Sequence, residues 1–401
     1  MGKPFKSLAA MLVVGLFNSL SASADEAEAF QHCLLEIKEQ ALRKGLSQVM
    51  LDREFPQLRY REDVIRLDRK QPEFSETFYN YWKARVSQQR IAKGRELLQT
   101  HSVLLQRLER QYGVAPQYLL AFWGLETNFG GYLGNMPVLD SLATLACDER
   151  RSDFFTGELL TALQLVEAGV VTGRKMVGSW AGAMGNMQFM PSAYRQYALD
   201  ADGDGRADLW NSIPDALTSA ANFLHQLGWE KGYRWGREVQ LPSNFDYTLS
   251  GRETKKTLVD WSRLGVKQMG GQTLPSADID ASIILPSGYS GPAFLVYSNF
   301  RVIMRWNRSE FYALSVGLLA DQIDGGANLK QWPPDVKRLT IDDVKMIQSG
   351  LAKAGFDVGE VDGVLGSNTR RALQAFQNRQ GLIADGYPDG DVIKLLKESV
   401  E

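Results

Sequence analysis

The chain has 401 residues, 44% of them apolar, which is enough for two or three domains and a sizeable core. Its 45 basic residues stand against 47 acidic ones. Nucleic acid usually demands a basic face, so it is excluded as the partner.

Residues 1–24 read as a secretory signal. Lys3 and Lys6 supply the positive start, residues 8–17 an apolar run, and Ala22-Ser23-Ala24 the small residues before a cut. The run is shorter than the ~20 apolar residues that span a bilayer. No cysteine follows it closely, so a lipid anchor is not expected, and no later segment reads as a membrane span. The mature chain is expected to be soluble in the periplasm. Export permits a disulfide, and Cys33 and Cys147 are either bridged or two buried thiols.

Residues 30–110 read as helices with polar surfaces, one of them over residues 75–98. The stretch PQYLLAFWGLETNFGG, residues 116–131, begins with a proline suited to a first helical turn. Leu119, Leu120, Phe122, Trp123 and Leu125 leave the helix no polar face, so it is expected to be buried. Glu126 ends it. Burial and the negative helix end both disfavour the anion of such a carboxyl, and a protonated acid is what a general acid needs. The bland alternative is a glutamate that reaches solvent at a helix end.

Residues 178–194, GSWAGAMGNMQFMPSAY, combine glycines that allow close backbone approach with Gln188, a donor and acceptor beside apolar Phe189 and Met190. A tightly packed loop before a helix is the structural alternative. The segment DADGDGRAD follows the calcium-loop pattern, with Asp200, Asp202 and Asp204 at positions one, three and five and Gly205 at six. The Arg206 carbonyl takes position seven. Position twelve is Asn211, and Asp215, one turn on, is a substitute carboxylate. Three such carboxylates repel without a cation, so a structural Ca²⁺ is expected. His32, His101 and His225 are isolated and form no metal spacing.

Residues 236–305 change character. Ile279, Ala281, Ile283 and Leu285 alternate with Asp278, Asp280, Ser282 and Ile284, and residues 294–297 are strand-like, which predicts a small β-rich lobe. Residues 309–323 return to an amphipathic helix. Gly325-Gly326 and Pro333-Pro334 mark a linker over residues 326–336. Residues 337–401 form a short module with helices over 341–354, 367–379 and 389–398. It lacks a carboxylate pair or histidine cluster, and binding is its economical role.

GLETNFG, GSWAGAMGNMQFMPSAY and DADGDGRADLW, in that order and spacing, resemble the membrane-bound lytic transglycosylase B family over roughly residues 30–323. The resemblance implies a mainly α fold: a lysozyme-like helical core with the β-rich lobe, spanning residues 25–325. It implies Glu126 as the single catalytic acid and Ca²⁺ at Asp200, Asp202, Asp204, Arg206 and Asp215, with no organic cofactor. It places substrate contacts at Ser179, Gln188, Phe189 and Met190, at the arginine pair Arg150 and Arg151, and at Asn307 and Tyr312 of WNRSEFY. Trp306 and Phe223 stand where members often carry tyrosine, which removes two hydroxyls from around the sugar. VDGVLGSNTRRALQAFQNRQGL resembles a peptidoglycan-binding domain and makes the C-terminal module a three-helix unit of that kind.

The implied partner is the glycan strand of peptidoglycan; other cell-wall enzymes are a further candidate that the sequence does not specify. The implied reaction cleaves the bond from N-acetylmuramic acid (MurNAc) to N-acetylglucosamine (GlcNAc) and closes a 1,6-anhydro ring, Glu126 acting as acid and then as base. The rival readings are a hydrolysing muramidase with a second carboxylate and a non-catalytic wall-binding protein.

Overall fold

The computed structural model describes residues 14–70 and 76–398. Residues 1–13 of the expected signal segment lie outside that range. The chain divides into two compact units, one from Met1–Lys70 and Tyr132–Ala216, the other from Gln71–Gly131 and Leu217–Glu401.

The first unit is helical. Its helices include Val14–Arg43, Gln48–Glu54, Glu62–Lys70, Val138–Ala146, Ser152–Glu167 and Pro191–Tyr197. Ser47 opens the second of these by accepting a hydrogen bond from the Met50 amide. Val138–Ala146 carries buried side chains at nearly every position and packs on Ser152–Glu167. Buried Glu158 accepts hydrogen bonds from the Ser192 amide at 2.9 Å and hydroxyl at 2.6 Å, which holds the first turn of Pro191–Tyr197. Cys33 and Cys147 are joined by a disulfide with Cα atoms 5.9 Å apart, closing a sequence separation of 114. The bridge ties the long first helix to the end of Val138–Ala146. A short antiparallel ladder pairs Met136–Pro137 with Val177–Gly178.

In the second unit the helix expected over residues 75–98 is two helices, Phe78–Arg85 and Gln88–Thr100; residue 75 lies outside the described residues. The break has a local cause. Val86 leaves helical geometry, and the Ser87 hydroxyl accepts the Arg90 amide and starts a new helix. The unit's core is built on Pro116–Thr127 packed against Glu310–Ile323. The latter was expected to be amphipathic but is buried on nearly every side. Small residues make this possible: a Cβ at Gly317 would lie 2.2 Å from the Trp235 indole, which fills that notch. Trp235 Nε1 donates to Asp321 Oδ2 at 3.1 Å, and its amide donates to the Tyr118 hydroxyl at 3.2 Å.

The β lobe is a five-stranded antiparallel sheet in the order Lys256–Thr257, Asp280–Ile284, Ala293–Val296, Gly236–Gln240, Lys267–Gln268. Ile283 stands opposite Leu295, and Trp261 beneath the sheet donates to the Ala281 carbonyl at 3.0 Å.

Three helices, Ile341–Lys353, Ser367–Arg379 and Gly390–Glu398, form the C-terminal module around Ile347, Leu351, Leu373, Phe376 and Leu396. Thr340 and Asp343 close a reciprocal cap at its start. The module packs on the β lobe. Gln374 Nε2 donates to the Tyr247 carbonyl at 2.8 Å, and Asp385 Oδ2 accepts the Tyr289 amide at 2.8 Å. The connecting segment is also held: the Lys330 and Gln331 amides donate to Glu238 at 2.8 and 2.7 Å, and Trp332 meets Trp82 edge-on at 5.1 Å. A mainly α architecture with a small antiparallel sheet and a three-helix C-terminal module is thus the fold the sequence led us to expect.

Candidate active site

Glu126 sits in the last turn of Pro116–Thr127. The helix stops because Asn128 and Phe129 both enter the left-handed region, with φ of 51° and 59°. For residues with a side chain this costs about 1–2 kcal/mol each. The turn folds Phe129 back onto the helix, where a Cβ at Gly124 would lie 2.8 Å from its ring. Glycine at 124 therefore makes room for the reversal that fixes the end of the helix. The Thr127 hydroxyl accepts the Gly130 amide at 3.0 Å and completes the stop.

Two donors converge on one oxygen of Glu126. Trp306 Nε1 donates to Oε1 at 2.9 Å, and the Tyr312 hydroxyl donates to the same atom at 2.5 Å. Trp306 lies between Phe122 and Phe223, with ring centroids 4.6 and 4.9 Å away. The turn between the two helices that carry these donors is set by Asn307, whose Oδ1 accepts the Ser309 amide, and by Ser309, whose hydroxyl accepts the Tyr312 amide. Trp306 appeared in the sequence only as a missing tyrosine hydroxyl. The structure gives it an indole N–H aimed at the carboxylate instead, and Phe223 supplies a stacking face.

Ser179, Gln188, Phe189, Met190, Arg150 and Arg151 belong to the first unit. Ser179 closes a tight loop: its amide donates to the Ala183 carbonyl at 2.8 Å, and its hydroxyl accepts the Ala183 amide at 3.0 Å. Gln188 has φ of 47°, and its side-chain Nε2 donates to the carbonyls of Leu133 and Gly185 at 3.1 and 3.0 Å. Gly185 (φ 69°) must be glycine, since a Cβ there would lie 2.6 Å from the Leu209 carbonyl oxygen. Phe189 is buried, at 1% exposure, and pairs with Met184 through its backbone, so its ring is core here. Met190 leads directly into Pro191–Tyr197.

Arg150 and Arg151 converge on Asp68. Arg150 donates to both carboxylate oxygens, from Nε at 2.9 Å and Nη2 at 2.5 Å, and Arg151 Nη2 adds a bond of 2.9 Å. Burial pushes the Asp68 carboxyl up, but the bonds from Arg150 and Arg151 outweigh it and hold the group below the usual range. Asp68 was missed in the sequence because it lies 82 residues from its partner and belongs to no motif.

Asp200, Asp202 and Asp204 bring carboxylate oxygens within 4.8 Å of one another, and among the described residues none of the three makes an ion pair. Asp200 accepts the Gly203 and Gly205 amides at 2.7 and 2.8 Å, which wraps the loop. Asp215 is fully buried outside that cluster, and its two oxygens accept the Ala201 and Asp208 amides, each at 2.8 Å. It anchors both ends of the loop. Hard, clustered oxygens of this kind fit a calcium ion.

Glu126 at the end of a buried helix and the glycine-rich loop of residues 178–190 belong to segments that a family pattern covers as a whole. The sequence pattern of the transglycosylase SLT domain matches residues 29–321, and that of a putative peptidoglycan binding domain matches residues 340–396. The chain belongs to the transglycosylase SLT domain family, and its class is that of the lytic transglycosylases, enzymes that act on peptidoglycan.

The chain is 32% identical over 249 residues to membrane-bound lytic murein transglycosylase B of Escherichia coli K12, a stretch that is 61% of this chain and 66% of that protein. The crystal structure of Pseudomonas aeruginosa SltB3 in complex with NAG-anhNAM-pentapeptide is similar with a TM-score of 0.87 and 41% identity, over 92% of this chain and 99% of that one. The E. coli lytic transglycosylase SLT35 in complex with calcium matches with a TM-score of 0.64 and 30% identity, over 73% of this chain and 92% of that one. Among the described residues no helix is long and apolar enough to cross a membrane.

Proposed function

We propose that Glu126 is the single catalytic acid and base of a reaction that cleaves the β-1,4 bond from MurNAc to GlcNAc and leaves a 1,6-anhydroMurNAc end. The observation that carries this reading is the pair of donors on Glu126 Oε1. An oxygen that accepts an indole N–H and a phenol O–H holds the carboxylate's charge, so the transferable proton belongs on Oε2. Glu126 gives that proton to the glycosidic oxygen, the C1–O bond breaks, and GlcNAc leaves as an alcohol. Positive charge at C1 is then taken up by attack of the muramic C6 hydroxyl. Its proton passes to the Glu126 carboxylate, which restores the acid, and no water is consumed. The anhydro sugar in the SltB3 complex supports this product.

Asn307 and Tyr312 line the sugar site beside Glu126 in this reading. Ser179, Gln188, Met190 and the Phe189 backbone contact the glycan, and the exposed faces of Arg150 and Arg151 reach its anionic groups. Strain at Gln188, of order 1–3 kcal/mol for a non-glycine residue in this region, fits a binding role. Asp200, Asp202 and Asp204, with the Arg206 carbonyl and Asp215 behind them, would hold a structural Ca²⁺ that rigidifies the loop after this segment; the calcium complex of SLT35 supports that choice. Residues 1–24 act as the signal, residues 25–325 as the catalytic region, 326–336 as the connection and 337–401 as the wall-binding module of a periplasmic protein.

Glu126→Gln keeps the shape but cannot cycle a proton. Digests of purified sacculi analysed by mass spectrometry are expected to contain anhydro ends with the native chain and none with the variant. Reducing ends instead would identify a hydrolysing muramidase, and normal turnover by folded Glu126→Gln would remove Glu126 from the mechanism.

A further inference from the structure

Between the β lobe and the C-terminal module lies a cavity of about 270 Å³. That is near the lower end of small-ligand pockets, roughly 300–1,000 Å³, and gives room for one or two amino-acid residues. Ile284, Leu285, Val364 and Leu365 supply apolar walls, and charged groups from five stretches of the chain surround them.

Most of the acids on this wall are already engaged. Glu310 pairs with Arg252 at 3.3 Å, and Glu76 with Arg85 at 3.6 Å. Asp385 accepts Gln377 Nε2 and the Tyr387 amide on Oδ1 and the Tyr289 amide on Oδ2. Three cations remain. Arg308 and Arg370 make no ion pair among the described residues, and Arg371 has only the Asn368 side-chain oxygen, at 2.6 Å. Asp385 has those three N–H donors but no ion pair, and among the described residues Glu253 is the one carboxylate on the wall with neither an ion pair nor a hydrogen bond.

The uncompensated set is thus three guanidiniums and one carboxylate on an apolar frame. Its complement has two or more carboxylates and one ammonium on a short aliphatic chain. A neutral sugar ring would leave the guanidiniums without partners, and the one aromatic residue lining the cavity, Phe311, has its ring packed against Phe78 and Tyr81. We propose that this cavity is a second binding site, which takes the peptide part of peptidoglycan through Arg308, Arg370 and Arg371 on its carboxylates and Glu253 on its ammonium. Guanidinium forks suit carboxylates because two parallel hydrogen bonds form at once. The inference rests on the reading of this chain as a peptidoglycan enzyme.

The test titrates full-length protein calorimetrically with a sugar-free stem pentapeptide bearing free carboxylates, and with its fully amidated counterpart. The free acid is expected to bind and the amidated peptide to bind roughly tenfold more weakly or worse, the scale of losing charge-assisted forks. Arg370→Gln with Arg371→Gln is expected to weaken the free acid similarly, with the melting curve and cleavage of a peptide-free glycan serving as fold controls. Equal affinity of the native chain for acid and amide, or full affinity in the folded double variant, would overturn the site. The amide comparison needs no variant, so a misfolded mutant does not leave the question open. Cleavage of peptide-free glycan without peptide binding would reject this site alone, whereas absence of any glycan cleavage would reject the functional reading beneath it.

Discussion

Replacing Tyr312 with phenylalanine removes one hydroxyl from Glu126 and leaves the ring in its buried place, at 4% exposure for the native residue. The lost bond ends on Oε1, where Trp306 also donates, and on the proposed mechanism that group carries charge in half of the cycle. Hydrogen bonds to charged groups contribute about 1.5–3 kcal/mol. At 1.36 kcal/mol per factor of ten, kcat is expected to fall about 10- to 150-fold. KM should change less than kcat, since the hydroxyl donates to Glu126. Trp306→Phe removes the other donor and also thins the stack between Phe122 and Phe223, so its effect should be at least as large. The double variant carries the sharper information. Both donors act on the same oxygen, so their removals are not independent. The combined loss should therefore exceed the product of the single losses by a coupling of about 0.5–3 kcal/mol. Initial rates of anhydro-end release from a defined glycan, with circular dichroism to verify folding, provide the numbers. A Tyr312→Phe enzyme within twofold of native kcat, or losses that simply multiply, would refute the shared-oxygen account.

Thorough chelation should lower the melting temperature through the Asp200 loop, because an ion bound only by the folded state stabilises it, and Asp202→Ala with Asp204→Ala should abolish that sensitivity; an unchanged native melt after chelation speaks against the ion. Replacing Cys33 and Cys147 by serine opens a link across a separation of 114 residues, for which chain entropy gives an upper bound of about 5 kcal/mol, so the urea midpoint should drop, and an unmoved midpoint would sink the estimate. Asp68 is held below its usual range in the fold, so its contribution is present above the unfolded value of about 3.9 and lost as pH falls through the folded one. Asp68→Asn should cost about 1–3 kcal/mol near neutral pH, less than a fully buried pair because the arginines are partly exposed; the gap between the two melting temperatures should close in acid, and a pH-independent gap would contradict the ion-pair explanation.

The elements that were legible in the sequence share one property: their limits are written locally. Pro116 opens a helix and Asn128 closes it, and the module's three helices start after Thr340, Gly366 and Asp389. The break at Val86 was hidden because Ser87 fits a polar helix face as well as it fits a cap. Glu310–Ile323 kept its place but not its amphipathic character, since its burial depends on which large side chains settle against Gly317 and its small neighbours, and those come from distant segments. At the candidate site, Glu126 could be read from its helix. The donors that face it could not: no local pattern says that an indole some 180 positions away will point its N–H at that carboxylate. Asp68 was invisible for the same reason.

The seating of the C-terminal module on the β lobe, through Gln374 and Asp385, changes what a wall-binding domain does for its enzyme. On a slack tether, such a domain raises local substrate concentration to an extent set by linker length, and the point of attack wanders over the tether's reach. Here the segment between them is tied to Glu238, and the module is tied to the lobe. The separation between anchor and Glu126 is then fixed by packing rather than sampled by a fluctuating chain. On the proposed function, avidity becomes a matter of geometric register: a strand held by the module would meet Glu126 at one offset.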